Sequence, residues 1–521
     1  METTATAQDR QPSIPHLRRQ GSATQLIVDD RPMLVLGGEL HNSSASSLDY
    51  MRPIWERMVA LNFNTLLAPI SWELIEAREG EFDFRLLDGL VHDARRYGLR
   101  LILLWFGSWK NGQSSYIPGW VKRDTGRFPR AQLSDGTAEI LTPIAATNLQ
   151  ADARAFAALM RHLRAIDGEQ HTVIMVQVEN EVGILSDSRD RSPAAEEAFH
   201  SAVPDELISY LVQHHNDLVP ELRNHWQAAG SRTQGSWPEL FGAGPHTDEI
   251  FMAWHYARYV DGVTAAGKAE YPLPMFTNAW LNYPGNQPGD YPSGGPLPHL
   301  LDIWLAGGPQ IDLLAPDIYQ PNFAEWCAGF TRRGNPLFIP EMMPTDAGAR
   351  QVFYAIGQHD AIGTSPFAVD SLQDPAQTPL AASYAALAQV APIILAHQGH
   401  NASAGFLLDA DTPVVTHLIG DYELEISLDE VFFYKAEIGY GLVIAMSRDT
   451  FVGVGSGFRV RFRPRSGSGR IGIESVDEGV FRDGRWIPGR RLNGDENDQG
   501  RTWRFSNKQI SIERCTVYPY E

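Results

Sequence analysis

The chain has 521 residues, 43% of them apolar and 10% aromatic, a composition that can bury a large core and that excludes an extended disordered protein. Its 63 acidic residues against 43 basic ones leave a formal net charge of −20, which repels phosphate backbones and anionic headgroups, so neither nucleic acid nor membrane is expected as a partner. Two cysteines, Cys327 and Cys515, are too few for a disulfide framework or a thiolate metal site.

The first twenty residues, METTATAQDRQPSIPHLRRQ, lack the apolar centre of an export signal, and no run approaches the roughly 20 apolar residues of a bilayer span. The expected compartment is the cytoplasm, with the periplasm as the alternative for a processed chain. From Met33 to Phe367 one theme recurs. A short, continuously apolar run ends in polar or aromatic residues and is followed by a loop or an amphipathic helix. In chain order the runs are PMLVLGGEL (32–40), NTLLAP (64–69), LRLILLWF (99–106), TVIMVQVEN (172–180), PMFTNAW (274–280), IDLLAPDIY (311–319), PLFIPEM (336–342) and AIGTSPF (361–367). Continuous hydrophobicity is what strands buried on both faces of a parallel sheet require. Between them, YMRPIWERMVALNF sets Ile54, Met58 and Leu61 at helical spacing, and FRLLDGLVHDARRYG ends at Gly98, a residue suited to a helix C-terminus.

Eight β/α units predict a (β/α)8 TIM barrel over residues 26–400, after an N-terminal extension over 1–25; a doubly wound sheet is the alternative. Connections 107–150 and 184–250 are too long for plain crossovers and are expected to wall the active-site face. Beyond residue 400 the pattern alternates and turns glycine-rich, predicting a smaller antiparallel β-sandwich over 401–521. Within it GVGSGF (453–458) reads as a hairpin turn, not a nucleotide loop, because no helix follows.

Barrel chemistry sits at the carboxyl ends of the strands. There the fourth strand delivers Asn180 and Glu181 and the seventh delivers Glu341, acids that face each other across the barrel mouth. Paired carboxyls are what glycoside hydrolysis needs: about 5–5.5 Å apart for a retaining enzyme, about 6.5–9.5 Å for an inverting one. Aromatic residues gather at the same ends, Trp72, Trp105, Trp109, Trp280 and Tyr319, where rings can stack on sugar faces, with Asn111, Asn180 and Glu73 left to bind hydroxyls. No third ligand completes HQGH (397–400), so neither metal nor organic cofactor is expected. How Glu179 is directed depends on whether the fourth strand stays regular to its end.

GGELHN, NFNTLLAPISWELIEAREGEFDF, LRLILLWFGSWKNGQSSYIPGWV, VQVENEVG and FIPEMM together resemble glycoside hydrolase family 35, the β-galactosidases, over residues 30–370. The resemblance implies Glu181 as acid/base, Glu341 as nucleophile, Asn180 on the sugar 2-hydroxyl and Tyr319 hydrogen-bonded to the nucleophile. It departs from the family at Pro69, where many members carry tyrosine, and at Asn111, which takes a glutamate's position. SWELIE and LLWFGSWKNG look like a compact bacterial branch associated with removing galactose from xyloglucan side chains. The implied activity is a retaining exo-β-galactosidase acting on galactoside oligosaccharides, with oligomeric state left open. The alternatives are a clan-related β-glucosidase or arabinosidase, and a non-catalytic sugar-binding barrel.

Overall fold

The computed structural model describes residues 13–431, 434–482 and 484–520. Residues 1–12 of the expected N-terminal extension lie outside the described residues. From His16 onward that stretch is ordered as strands His16–Gln20, Ala23–Val28 and Arg31–Met33 in one antiparallel sheet.

Eight parallel strands close the barrel: Val35–Glu39, Thr65–Ser71, Arg100–Phe106, Val173–Val178, Met275–Trp280, Leu313–Ile318, the seventh in two pieces (Phe338–Ile339 and Glu341–Met342), and Gly363–Thr364. The break in the seventh strand falls at Pro340, which has no N–H to give a neighbouring strand. Its first piece pairs with the eighth strand, Phe338 opposite Gly363, and its second with the sixth, Asp317 opposite Glu341. Both flanking strands are thereby satisfied, and the TIM barrel expected from the apolar runs is what forms.

Inward-facing side chains fill the barrel. Val35, Leu67, Ile102, Leu104, Phe276, Leu313 and Phe338 make one apolar cluster that also contains Leu26 and Val28 of the N-terminal sheet. That sheet therefore plugs the amino end of the barrel. Asp29 anchors it there, paired with Arg100 at 2.5 Å and with His171 at 3.0 Å, two residues at the start of the third and fourth strands. The helices follow the sequence periodicity: Ile54–Ala60 buries Ile54 and Met58, and Arg85–Arg96 is followed by Gly98 in the left-handed region at φ 70°.

Pro379–His397 has the length and composition of a membrane-crossing helix, which the sequence reading did not credit to any segment. Its apolarity has a local cause. It packs on the barrel helix Asp346–His359 on one side and touches strands of the C-terminal domain on the other, so little of its circumference needs polar residues.

The C-terminal domain is antiparallel, with a six-stranded and a four-stranded sheet facing each other across Phe406, Phe458, Trp503 and Phe505. The outer face of the six-stranded sheet contributes Leu442, Ile444, Val452 and Val454 to the barrel's main core. GVGSGF is not a hairpin. Thr450–Ser456 belongs to the larger sheet and Phe458–Pro464 to the smaller one, and Gly457, at φ 76°, turns the corner between them. Both cysteines are buried thiols.

Leu26 is fully buried beneath the barrel core. Leu26→Ala is expected to destabilise the protein by about 2–5 kcal/mol, read by chemical denaturation. A change below about 0.5 kcal/mol would mean that the plug is not part of the cooperative core.

Candidate active site

The polar strand ends converge at the carboxyl mouth. In a parallel pair, residues at one register carry side chains on the same face, so opposing Glu341 to Asp317 sets two carboxyls side by side across a strand spacing of about 4.8 Å. Glu181 joins them from the fourth strand. One carboxylate oxygen each of Glu181, Asp317 and Glu341 lies within 4.8 Å of the other two. All three are buried, as are Glu39 at the end of the first strand and Lys110 in the loop after the third.

Hydrogen bonds fix each member. Glu341 accepts from the Tyr319 hydroxyl at 2.6 Å and from Asn180 Nδ2 at 3.3 Å. Glu181 Oε2 accepts from Asn111 Nδ2 at 2.6 Å, while the Glu181 amide donates to Asn278 Oδ1 at 3.0 Å. Asn278 Nδ2 donates in turn to Asp317 Oδ2 at 2.6 Å. The fourth, fifth and sixth strands are thus tied together by side chains at the mouth.

VQVENEVG does not continue as a strand. Pairing ends at Val178, and Glu179 and Glu181 both take left-handed backbone angles, φ 63° and 46°, an unusual and strained state for two glutamates. The kink separates the two acids. Glu181 enters the carboxylate cluster, whereas Glu179 turns to the loop after the third strand and accepts the Trp109 amide at 2.7 Å. Burial, and then the adjacent Asp152 carboxyl, push the Glu179 acid well up. Asp152 itself accepts from Trp105 Nε1 and from the Ser108 amide and hydroxyl. This pair locks residues 107–109, and the next two residues, Lys110 and Asn111, reach the cluster. Gly107 leaves the room, since a Cβ there would lie 2.5 Å from Glu179 Oε1.

Burial and then the Glu341 carboxylate raise Glu181 to about 7, with Lys110 and the hydrogen bond to Asp317 pulling the other way. Glu39 and Asp317 are pushed well above the usual carboxylate range, by burial first and by Glu341 second. Burial opposes the Lys110 charge, but the Glu341, Glu181, Glu39 and Asp317 carboxyls around it outweigh that cost and raise it. The arrangement suits two-carboxyl chemistry: one acid holds a proton near neutrality beside another held by donors.

Of the residues singled out from sequence, Glu181, Glu341, Asn180, Asn111 and Tyr319 form this one network. Trp280, at the end of the fifth strand and 37% exposed, stands at the mouth. Two others require correction. Trp72 and Trp109 present no face to a sugar because both are fully buried. Trp72 donates to Glu76 at 2.8 Å and stacks edge-on against Trp120, while Trp109 donates to the Leu141 carbonyl and packs between Tyr256 and Tyr259. Glu73, partly exposed, forms an ion pair with Lys122 at 3.3 Å. Sequence reading passed over Glu39, Lys110, Asn278 and Asp317, although three of them end apolar runs and the same rule would have marked them.

Residues 47–251 match the family model Glyco_hydro_42, described as beta-galactosidase, and residues 380–504 match a domain of unknown function, DUF5597. That first match lies within the barrel, and its family is one of glycoside hydrolases. The matching family is 42, which overturns the resemblance to family 35: short motifs around strand ends recur across related barrels, whereas the family model weighs the whole 47–251 stretch. Gan42B, a GH42 beta-galactosidase, shares the fold at TM-score 0.51 and 12% identity, over 96% of this chain and 100% of its own. The beta-galactosidases of Bacillus circulans sp. alkalophilus (14% identity, TM-score 0.49) and Rahnella sp. R3 (16%, 0.47) align with 70% and 69% of this chain. This chain spans 57% of the length of each of those two. No curated protein matches the chain.

Removing the Glu341 charge by Glu341→Gln is expected to lower the Glu181 pKa from about 7 while leaving it above an ordinary glutamate, since burial persists. Carboxyl-carbon NMR titration reads this directly, and an unchanged or raised value contradicts the coupling.

Proposed function

We propose that this chain is a retaining exo-acting β-galactosidase in which Glu341 is the nucleophile and Glu181 the acid/base. The observation that carries the reading is the approach of the Glu181 and Glu341 carboxyls, with oxygens within 4.8 Å. So close an approach fits the carboxyl spacing of about 5–5.5 Å in retaining glycosidases better than the about 6.5–9.5 Å at which an inverting pair admits a water. The sugar is supported by the beta-galactosidase description of the family matched over residues 47–251.

In the first step Glu341 attacks the anomeric carbon and the glycosidic bond breaks as Glu181 protonates the departing oxygen. Tyr319 and Asn180 hold the attacking carboxylate in line. Formation of the glycosyl ester consumes the Glu341 charge. With it goes the Coulomb contribution that raises Glu181, so Glu181, having given its proton to the departing oxygen, stays ionised and then takes a proton from the water that hydrolyses the ester. The nucleophile therefore sets the protonation of its partner in both halves of the cycle.

The substrate is a terminal β-galactosyl residue on an oligosaccharide. Xyloglucan side chains as the natural source rest on the motif resemblance alone. A panel of aryl β-galactoside, β-glucoside and arabinoside, with galactosyl disaccharides and xyloglucan oligosaccharides, tests sugar and linkage together.

Glu341→Gln is expected to lower turnover of an aryl β-galactoside by about 10⁴-fold or more in a protein that remains folded. Proton NMR of the first-formed sugar should show the β-anomer, and α-galactose appearing first refutes the double displacement. Because Glu181 must hold a proton in the free enzyme, kcat/KM should fall as pH rises through about 7. Glu181→Ala should abolish that limb on a substrate whose leaving group needs no proton.

A further inference from the structure

The proposed chemistry uses Glu181 and Glu341 and leaves Glu39 without a task. Glu39 is fully buried at the carboxyl end of the first strand, and among the described residues neither of its carboxyl oxygens has a hydrogen-bond partner. A buried carboxyl with both oxygens open is costly, because water solvation has been given up and nothing in the protein replaces it. Its backbone is well ordered all the same. The Glu39 amide donates to the Pro366 carbonyl at 2.8 Å, and Glu39 lies opposite Leu67 in the register of the first two strands.

Position decides what the side chain can reach. The first strand lies between the eighth and the second, and Glu181 comes from the fourth, on the other side of the barrel. In a pyranose with its anomeric carbon between Glu341 and Glu181 the C3 and C4 edge is the one remote from Glu181, and the first strand is in the wall on the side of the barrel remote from the fourth. The nearby Asn42 Oδ1 and Ser365 Oγ are also buried and unpartnered among the described residues, so this wall holds several open acceptors.

We infer that Glu39 is the glycone-recognition residue of the site, its two carboxyl oxygens each forming a hydrogen bond with one of the vicinal 3- and 4-hydroxyls of the sugar. A carboxyl with two free oxygens matches two hydroxyls on adjacent carbons, and when it holds a proton it donates from one oxygen and accepts at the other. Discrimination follows, since a site built to bond a hydroxyl rejects an analogue lacking it far more strongly than an apolar pocket rejects an extra group. The inference rests on the glycosidase reading, and it assigns the sugar's far edge, which that reading does not.

The test is a cycle of kcat/KM values for wild type, Glu39→Ala and Glu39→Gln against an aryl β-galactoside and its 3-deoxy and 4-deoxy analogues, with thermal unfolding to verify folding. Wild type should favour the parent over each deoxy compound by about 100-fold or more. In Glu39→Ala the parent rate should fall by a similar factor, and the preference should shrink to within about threefold, the sign of a lost direct contact. Glu39→Gln keeps one acceptor oxygen and should fall between, which supplies the cycle if the alanine variant does not fold. Retention of the full wild-type preference in either folded variant overturns the assignment. Failure of the glycosidase reading looks different. Wild type would then turn over none of the aryl glycosides, and a fluorosugar inactivator would leave Glu341 unlabelled whatever stands at position 39.

Discussion

Four carboxyls, Glu39, Glu181, Asp317 and Glu341, share one buried space with a single ammonium, Lys110. In a medium of low effective dielectric, like charges a few ångströms apart repel by several kcal/mol, so the four cannot ionise together. One negative charge balanced by Lys110 is tolerable; the rest of the cluster must hold protons or share them. The Tyr319 hydroxyl and the Asn180 side-chain amide both donate to Glu341. Burial and the neighbouring Glu341 carboxyl favour the protonated form of Glu39, Asp317 and Glu181. The roles proposed for Glu181 and Glu341 thus rest on their different surroundings, since the two side chains are chemically the same.

Holding the cluster together is work for the surrounding backbone. Glu179 and Glu181 are two residues apart and point to different places because each occupies a left-handed conformation past the end of the fourth strand. Such strain persists only where neighbours over-determine it. Here the Trp109 amide holds Glu179 and the Asn278 and Asn111 side chains hold Glu181. The Glu179–Asp152 pair acts one step removed from the chemistry, as a clamp on the loop that delivers Lys110 and Asn111. Pro340 contributes in a similar way on the opposite wall, splitting the seventh strand so that Glu341 registers with Asp317.

Much of this was legible before any coordinates. Continuously apolar runs mean strands buried on both faces, and eight of them alternating with helices leave few folds but a barrel. Polar residues at the ends of those runs marked Glu181, Glu341, Asn180 and Tyr319, because only the strand ends reach the mouth. The same signal was present at Glu39 and Asp317 and went unread. The tryptophans misled: Trp72 and Trp109 sit where ring stacking would be expected, but an indole is large enough to be drawn into the core, and hydrogen bonds to Glu76 and the Leu141 carbonyl make that burial affordable. The family resemblance misled for a related reason, since strand-end motifs report the chemistry of a barrel more than its lineage.

By itself the sequence determined the barrel, the antiparallel domain behind it and the two strand ends that carry opposing acids, because hydrophobic periodicity and residue type are local properties. Only the tertiary structure decided which side chains meet. Pairing register, a proline break and two left-handed residues aim Glu179 at a loop and Glu181 at Glu341, and leave the buried Glu39 oxygens without a hydrogen-bond partner among the described residues. These are matters of direction set by neighbours distant in the chain, and no spacing along VQVENEVG encodes them.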